Sequence, residues 1–161
     1  MSDHTALLGW VQHTGLSTLI RQSSWAVMAF ESVHLIGLAL LGGAAVVAAL
    51  AALRHGGLRG MSVAGLVTGL VPLSRVGLFL MVVSGTLIAV SMPFKYYGNG
   101  AFRWKMLLLG LALLTSWVLR WVSSGAERCV GGWRIAPRAL AVGVLVLWIG
   151  VGCCGRLIGF L

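Results

Sequence analysis

The sequence predicts an all-α integral membrane protein, a four-helix up-down-up-down bundle with a short N-terminal interfacial helix. Three observations predict it. Of 161 residues, 59% are hydrophobic and 9% charged, where an average soluble domain carries about 25% charged residues, and the mean hydropathy is +0.99. Four apolar stretches, at about 24–53, 62–91, 101–122 and 135–161, each reach the roughly 20 residues that cross a bilayer. The connections between them are short, which makes sequential spans antiparallel neighbours. All 161 residues are taken up by one transmembrane domain, with no room for a separate soluble one.

Residues 3–20 carry Leu7, Trp10, Val11, Leu19 and Ile20 at roughly helical spacing, interrupted by Gln12, His13 and Ser17. The absence of a basic leading region and of a long apolar run argues against a cleavable signal peptide. An amphipathic helix lying in the interface fits, with Trp10 and Trp25 at headgroup depth. The first span ends in the Gly-rich basic run RHGGLRG. In the second, Pro72 lacks a backbone donor and leaves a carbonyl free one turn upstream, so a kink is expected there. The third is entered through KYYGNGAFRWK, with Gly98-Asn99-Gly100 as its turn signal. The fourth follows a loop bearing Arg128, Arg134 and Arg138. Small residues such as Gly37, Gly42, Gly43, Gly65, Gly69, Gly155 and Gly159 allow close helix approach, within one chain or between copies.

Twelve Lys and Arg give a net charge of +9. In a soluble chain this would suggest nucleic acid. Here the bases lie mainly between apolar segments and lack interleaved aromatics, so the expected partners are the bilayer and its anionic lipids, not nucleic acid. Arg54, Arg59, Arg120, Arg128, Arg134 and Arg138 fall on one side, against Arg21, Lys95, Arg103, Lys105 and Arg156 on the other. The positive-inside rule then places both termini outside the cytoplasm. Cys129, Cys153 and Cys154 form no disulfide framework or CxxC motif.

Glu31 and His34 are an acid and a histidine set inside an apolar span. Ionisable residues there cost about 2.5–3.5 kcal/mol on insertion scales and mark functional sites by default. At i, i+3 they share a helical face. Reflection across the turns, at about 1.5 Å per residue, sets His34 level with Met81, Leu111 and the Val151–Cys154 stretch, and Glu31 near Arg156. On the second span Ser74, Gly77, Met81, Ser84 and Ile88 form a stripe of small or polar residues. It suits either tight packing or a planar group beside His34.

Haem b or a quinone would fit such a place. A b-type haem wants two strong axial ligands. His34 supplies one; Met81, another methionine or a second polypeptide would supply the other, unless the iron is five-coordinate. Copper held by His34, Met81, Met92 and Cys153 is an alternative, and a purely structural role for Glu31 and His34 is a third. The aromatic collar of Tyr96, Tyr97, Phe102 and Trp104, with Lys95, Arg103 and Lys105, either anchors a hairpin at the interface or docks an anionic group. Arg75 snorkels along the Pro72 kink or binds a propionate or lipid phosphate. Di-iron carboxylate chemistry, paired-carboxylate hydrolysis and Ser-His-Asp catalysis lack their acids, and no phosphate cradle is present. The chain is poorly equipped to be an enzyme alone.

The runs ESVHLIGLALLGG, RHGGLRG, SRVGLFLMVVSGTLIAV and KYYGNGAFRWKMLLL resemble an uncharacterised family of small bacterial four-helix membrane proteins. Glu31, His34, Tyr97, Gly98, Phe102, Arg103 and Lys105 carry that resemblance over nearly the whole chain. More distantly the layout looks like copper-resistance D-type membrane proteins and cytochrome b561-type bundles, where an early-helix histidine binds haem or metal. The b561 pattern uses paired histidines on different helices, and this sequence departs from it. The function expected from these readings is a membrane subunit of a bacterial redox system in the inner membrane, relaying electrons through a haem b or quinone near His34. It would work as a homo-oligomer or as part of a larger redox complex.

Overall fold

The computed structural model describes residues 9–10, 12–54, 63–123 and 136–157. The chain is all-helical within them: α1 (Gly15–Gln22), α2 (Ser24–Leu53), α3 (Val63–Gly69), α4 (Val71–Ser91), α5 (Pro93–Tyr97), α6 (Gly100–Ser123) and α7 (Ala136–Leu157). Four apolar lengths, Trp25–Leu53, Val63–Ser91, Gly100–Ser123 and Arg138–Leu157, are long enough to cross a membrane. They pack as antiparallel pairs, α2 with α4 and α6 with α7, and α2 also lies against α7. The bundle and its four spans are therefore those the hydropathy pattern predicts. The RHGGLRG turn beyond Arg54 and the loop carrying Arg128, Cys129 and Arg134 lie outside the described residues.

Local chemistry sets the helix ends. Thr14 caps α1 by accepting from the Ser17 amide, and Ser23 caps α2 by accepting from the Ala26 amide, as N-cap hydroxyls do. The second span is interrupted at Leu70, leaving Pro72 in the first turn of α4, where a missing N–H costs nothing. The break thus falls two residues before the proline. Asn99 accepts from the Ala101 amide at 2.9 Å and so starts α6 directly after the Gly98 turn. Ser17 and Ile20 are buried, with Ser17 Oγ donating to the Ser91 carbonyl at 3.5 Å, while Trp10 and Leu19 are exposed. The N-terminal helix is thus amphipathic in fact, its inner face docked on the end of α4.

The core is built from small residues. Ala45, Ala49, Ala112, Ala141, Val144 and Val151 are buried in one cluster with Leu41, Met81, Leu119 and Trp148. Large apolar side chains such as Phe79, Trp117, Trp121 and Ile149 point outward, the arrangement expected where lipid surrounds the bundle and small side chains bring backbones together. The closest approach is between α2 and α4. A Cβ on Gly37 would stand 2.8 Å from the Met81 amide nitrogen, and one on Gly77 would stand 2.7 Å from the Leu41 nitrogen. Both obstacles are backbone and cannot yield, so glycine is required on each side of this crossing.

Candidate functional site

His34 sits one turn before Gly37 on α2, so its ring enters the α2–α4 seam just beyond the glycine crossing. Its Nδ1 lies 3.2 Å from Ser84 Oγ, and a Cβ on Gly85 would meet its Cε1 at 3.0 Å. Glycine at 85 is what lets the ring lie flat on α4. The level reached by reflection, Met81, is off by one turn: the Met81 backbone carbonyl is an additional acceptor for the ring, but Ser84 and Gly85 receive it.

The proton on the ring can be assigned from the network. A serine hydroxyl has one hydrogen, and that of Ser84 goes to the Leu80 carbonyl at 2.5 Å. With that proton on Leu80 the oxygen is an acceptor towards His34, and the tautomer with the proton on Nδ1 is the one that fits. The same device recurs twice. Ser74 donates to Leu70 and accepts from Arg120 at 2.6 Å. Ser116 donates to Ala112 and accepts from the Trp148 indole at 3.2 Å. In those two cases the neighbour can only donate, which supports the same polarity at His34.

Lys105 is the second ionisable group in this region. It lies in the second turn of α6, half-buried, with Cε and Nζ 3.7 Å from where a Gly155 Cβ would be. The sequence reading grouped it with the exposed collar; the helix phase after Asn99 turns it inward instead, while Arg103 is exposed. His34 rests over Gly85 on α4 and Lys105 over Gly155 on α7, while α4 and α6 do not pack along their lengths.

The other expected residues are distributed as follows. Met81 is 5% exposed and packed in the core beside α2. Ser74, Gly77, Met81 and Ser84 of the stripe are buried and serve the packing of α4 on its neighbours. Glu31 is exposed and does not bond to His34; Arg156 is exposed too, and no ion pair joins them among the described residues. Instead the charge of Glu31 reaches Tyr96 on α5, which burial and that carboxylate together hold above the ordinary tyrosine value. Tyr96 stacks on Phe102 with centroids 5.4 Å apart. The side chain of Tyr97 lies outside the described residues. Arg75 is exposed, nine positions before Ser84 on α4, roughly 13 Å along the axis, and does not join the His34 region. Arg120, which the sequence reading counted only as a loop charge, is the arginine that enters the bundle.

Two shallow recesses flank these helices. One of about 210 Å³ is lined by Gln12, Ser91, Met92, Pro93, Phe94 and Lys95. Another of about 230 Å³ lies over Gly42, Gly43 and Trp148 between α2 and α7. His34 lines neither. Among the described residues no three His, Cys, Asp or Glu side chains gather as a metal-binding group, and Cys153 and Cys154 are free thiols.

No curated protein and no solved structure matches the chain. A family model does match, over residues 5–161, so that the helices, the glycine crossing and the His34–Ser84 contact all fall within it, and the chain belongs to the family of unknown function DUF6644.

Proposed function

We propose that this protein is a small membrane subunit of a bacterial redox system, holding a b-type haem or a quinone at His34 and relaying electrons in the inner membrane. The observation that carries the reading is the contact of His34 Nδ1 with Ser84 Oγ, inside a membrane-spanning length. An imidazole whose Nδ1–H is fixed by a neighbour presents Nε2 as a ligand or proton acceptor, which is how metal- and cofactor-binding histidines are prepared. The Ser84 hydroxyl, itself tied to Leu80, does that here. In the haem version His34 Nε2 would supply one ligand to the iron. Met81 is held in the core, so a second subunit is the better source of the other, consistent with a homo-oligomer or a larger redox complex. In the quinone version Nε2 would accept a hydrogen bond from the hydroxyl of the reduced headgroup. The basic end of the bundle, with Lys95, Arg103 and Arg156, faces anionic lipid, and both termini lie outside the cytoplasm.

The test is a reduced-minus-oxidised spectrum and a quinone extraction on detergent-purified protein expressed with ample haem. A b-type spectrum or stoichiometric quinone that falls away in His34→Ala supports the reading. Neither one in wild-type protein overturns it. A second reading, a structural subunit without cofactor, is favoured by the tightness of the Gly37–Gly77 crossing, beside which His34 would serve only to fix the register of α2 on α4. Under that reading His34→Ala lowers stability and nothing else.

A further inference from the structure

The second span, Val63–Ser91, holds 29 residues, and Arg75 stands two residues, about 3 Å, from Gly77 at its middle. The glycine crossing gives a second measure of that depth. Gly77 lies against Leu41, itself two residues from Ala39 at the middle of Trp25–Leu53. Arg75 is then about 6 Å from the level of Ala39. Half of the hydrocarbon core is about 15 Å thick, so the Cα of Arg75 lies roughly 9–12 Å inside it. A helical side chain leans over the turn on its N-terminal side, which carries the guanidinium about 5 Å towards the Val63 end. It is still within the hydrocarbon there.

Arg75 is exposed at this depth, and Phe79 and Val82, one and two turns on along the same face, are exposed with it. No hydrogen bond or ion pair joins it to another described residue. Arg120 makes the contrast: its guanidinium turns into the bundle and donates to Ser74 at 2.6 Å. Arg75, the next residue on α4, points about 100° away. Charged side chains inside a membrane are costly and pair with acids or carbonyls. Glu31, the one acidic side chain among the described residues, lies eight residues, about 12 Å, to the other side of Ala39. Neither this chain nor a second copy in the same orientation brings that carboxylate within reach, and lipid phosphates stand farther out, at the headgroups. We infer that the Arg75, Phe79 and Val82 face of α4 is an interface for a membrane-spanning helix of a different protein, one with an aspartate or glutamate near its middle. That carboxylate accepts the guanidinium hydrogens in the paired geometry arginine offers, and apolar side chains around it cover Phe79 and Val82. The interface is independent of any cofactor at His34, so its failure leaves the redox reading untouched.

The test uses purified full-length protein in phosphatidylcholine vesicles at mildly alkaline pH. The probe is a leucine–alanine membrane-spanning peptide with one central Glu, matched by a peptide with Gln in its place. Association is read by energy transfer between a dye on the protein and one on the peptide. Wild type is expected to hold the Glu peptide about tenfold more tightly, the size of one charge-assisted hydrogen bond. Arg75→Leu and Arg75→Gln should bind the two peptides equally, and Arg75→Lys should keep part of the preference. Arg103→Gln, which removes an exposed cation at the end of the bundle, should keep all of it. Elution volume and thermal stability are recorded for each variant. Equal binding of the two peptides by wild type overturns the inference, as does a Glu preference that survives in either folded neutral variant. Loss of the preference when phosphatidylglycerol is added also overturns it, by assigning Arg75 to lipid phosphate. So does a wild-type oligomer that the neutral variants dissolve without any peptide, which assigns the face to a second copy.

Discussion

The hydroxyl of Ser84 illustrates how a single residue sets chemistry in this bundle. By giving its proton to Leu80 it becomes a pure acceptor, and the imidazole of His34 answers with Nδ1–H. Gly85 then decides whether the ring can lie where Ser84 holds it. In Gly85→Ala the new Cβ would stand 3.0 Å from Cε1, so the ring must give by a few tenths of an ångström, straining its contact with Ser84. That variant should shift the His34 imidazole resonances while keeping helical content, measured by ¹⁵N NMR and circular dichroism. Tyr96 gives a second prediction. Burial first, and the Glu31 carboxylate second, raise its folded-state value. Its contribution to stability is present below the ordinary value of about 10 and is lost as pH rises through the higher folded one. Tyrosinate absorbance should therefore appear later than for a free tyrosine, and Glu31→Gln should recover only part of the delay. A wild type titrating like free tyrosine would contradict this. His34 itself was legible in the sequence, because a histidine in an apolar run stands out. Ser84 and Gly85 were harder to read, since serine and glycine in a membrane helix are ordinary packing residues until a neighbour's phase is known.

Helix α2 owes its place to glycines that differ sharply in what they touch. At Gly77 an added methyl meets the Leu41 backbone at 2.7 Å, whereas at Gly43 nothing lies within 4 Å. Gly77→Ala should therefore destabilise the protein by about 2–3 kcal/mol, the range for overpacking a site that cannot relax. Gly43→Ala should be neutral or stabilise by up to about 1 kcal/mol through helix propensity. Unfolding in mixed micelles measures both, and similar effects of the two changes would refute the crossing. Spacing alone marked Gly37, Gly42, Gly43 and Gly69 as equivalent. The structure uses Gly37 against α4 and Gly42 under Trp148, and leaves the other two open. Rotation about the helix axis separates them, and with small residues on several faces the hydropathy pattern carries little rotational information. Pro72 was readable in kind but not in position: the break comes at Leu70 because proline is accommodated in the first turn of the helix that follows.

At the scale of the molecule, four spans and their antiparallel pairing follow from the lengths of apolar sequence and the shortness of the turns. The site is less legible because it is made between elements. Lys105 lies in the same run as Lys95 and Arg103, and only the start of α6 at Gly100 turns it towards the interior while leaving Arg103 outside. Arg120 likewise enters the bundle to reach Ser74, bridging α4 and α6 near one end.

The central claim is that His34 is held with its proton on Nδ1 and its lone pair on Nε2. The most direct measurement is ¹⁵N NMR of histidine-labelled protein in which His4, His13 and His55 are replaced by Gln, so that His34 alone reports, recorded above the pH at which the imidazole is neutral. A protonated Nδ1 and an unprotonated Nε2, with the pattern weakened in Ser84→Ala, is the predicted result. The reverse tautomer, or rapid averaging of the two unaffected by Ser84→Ala, would contradict it.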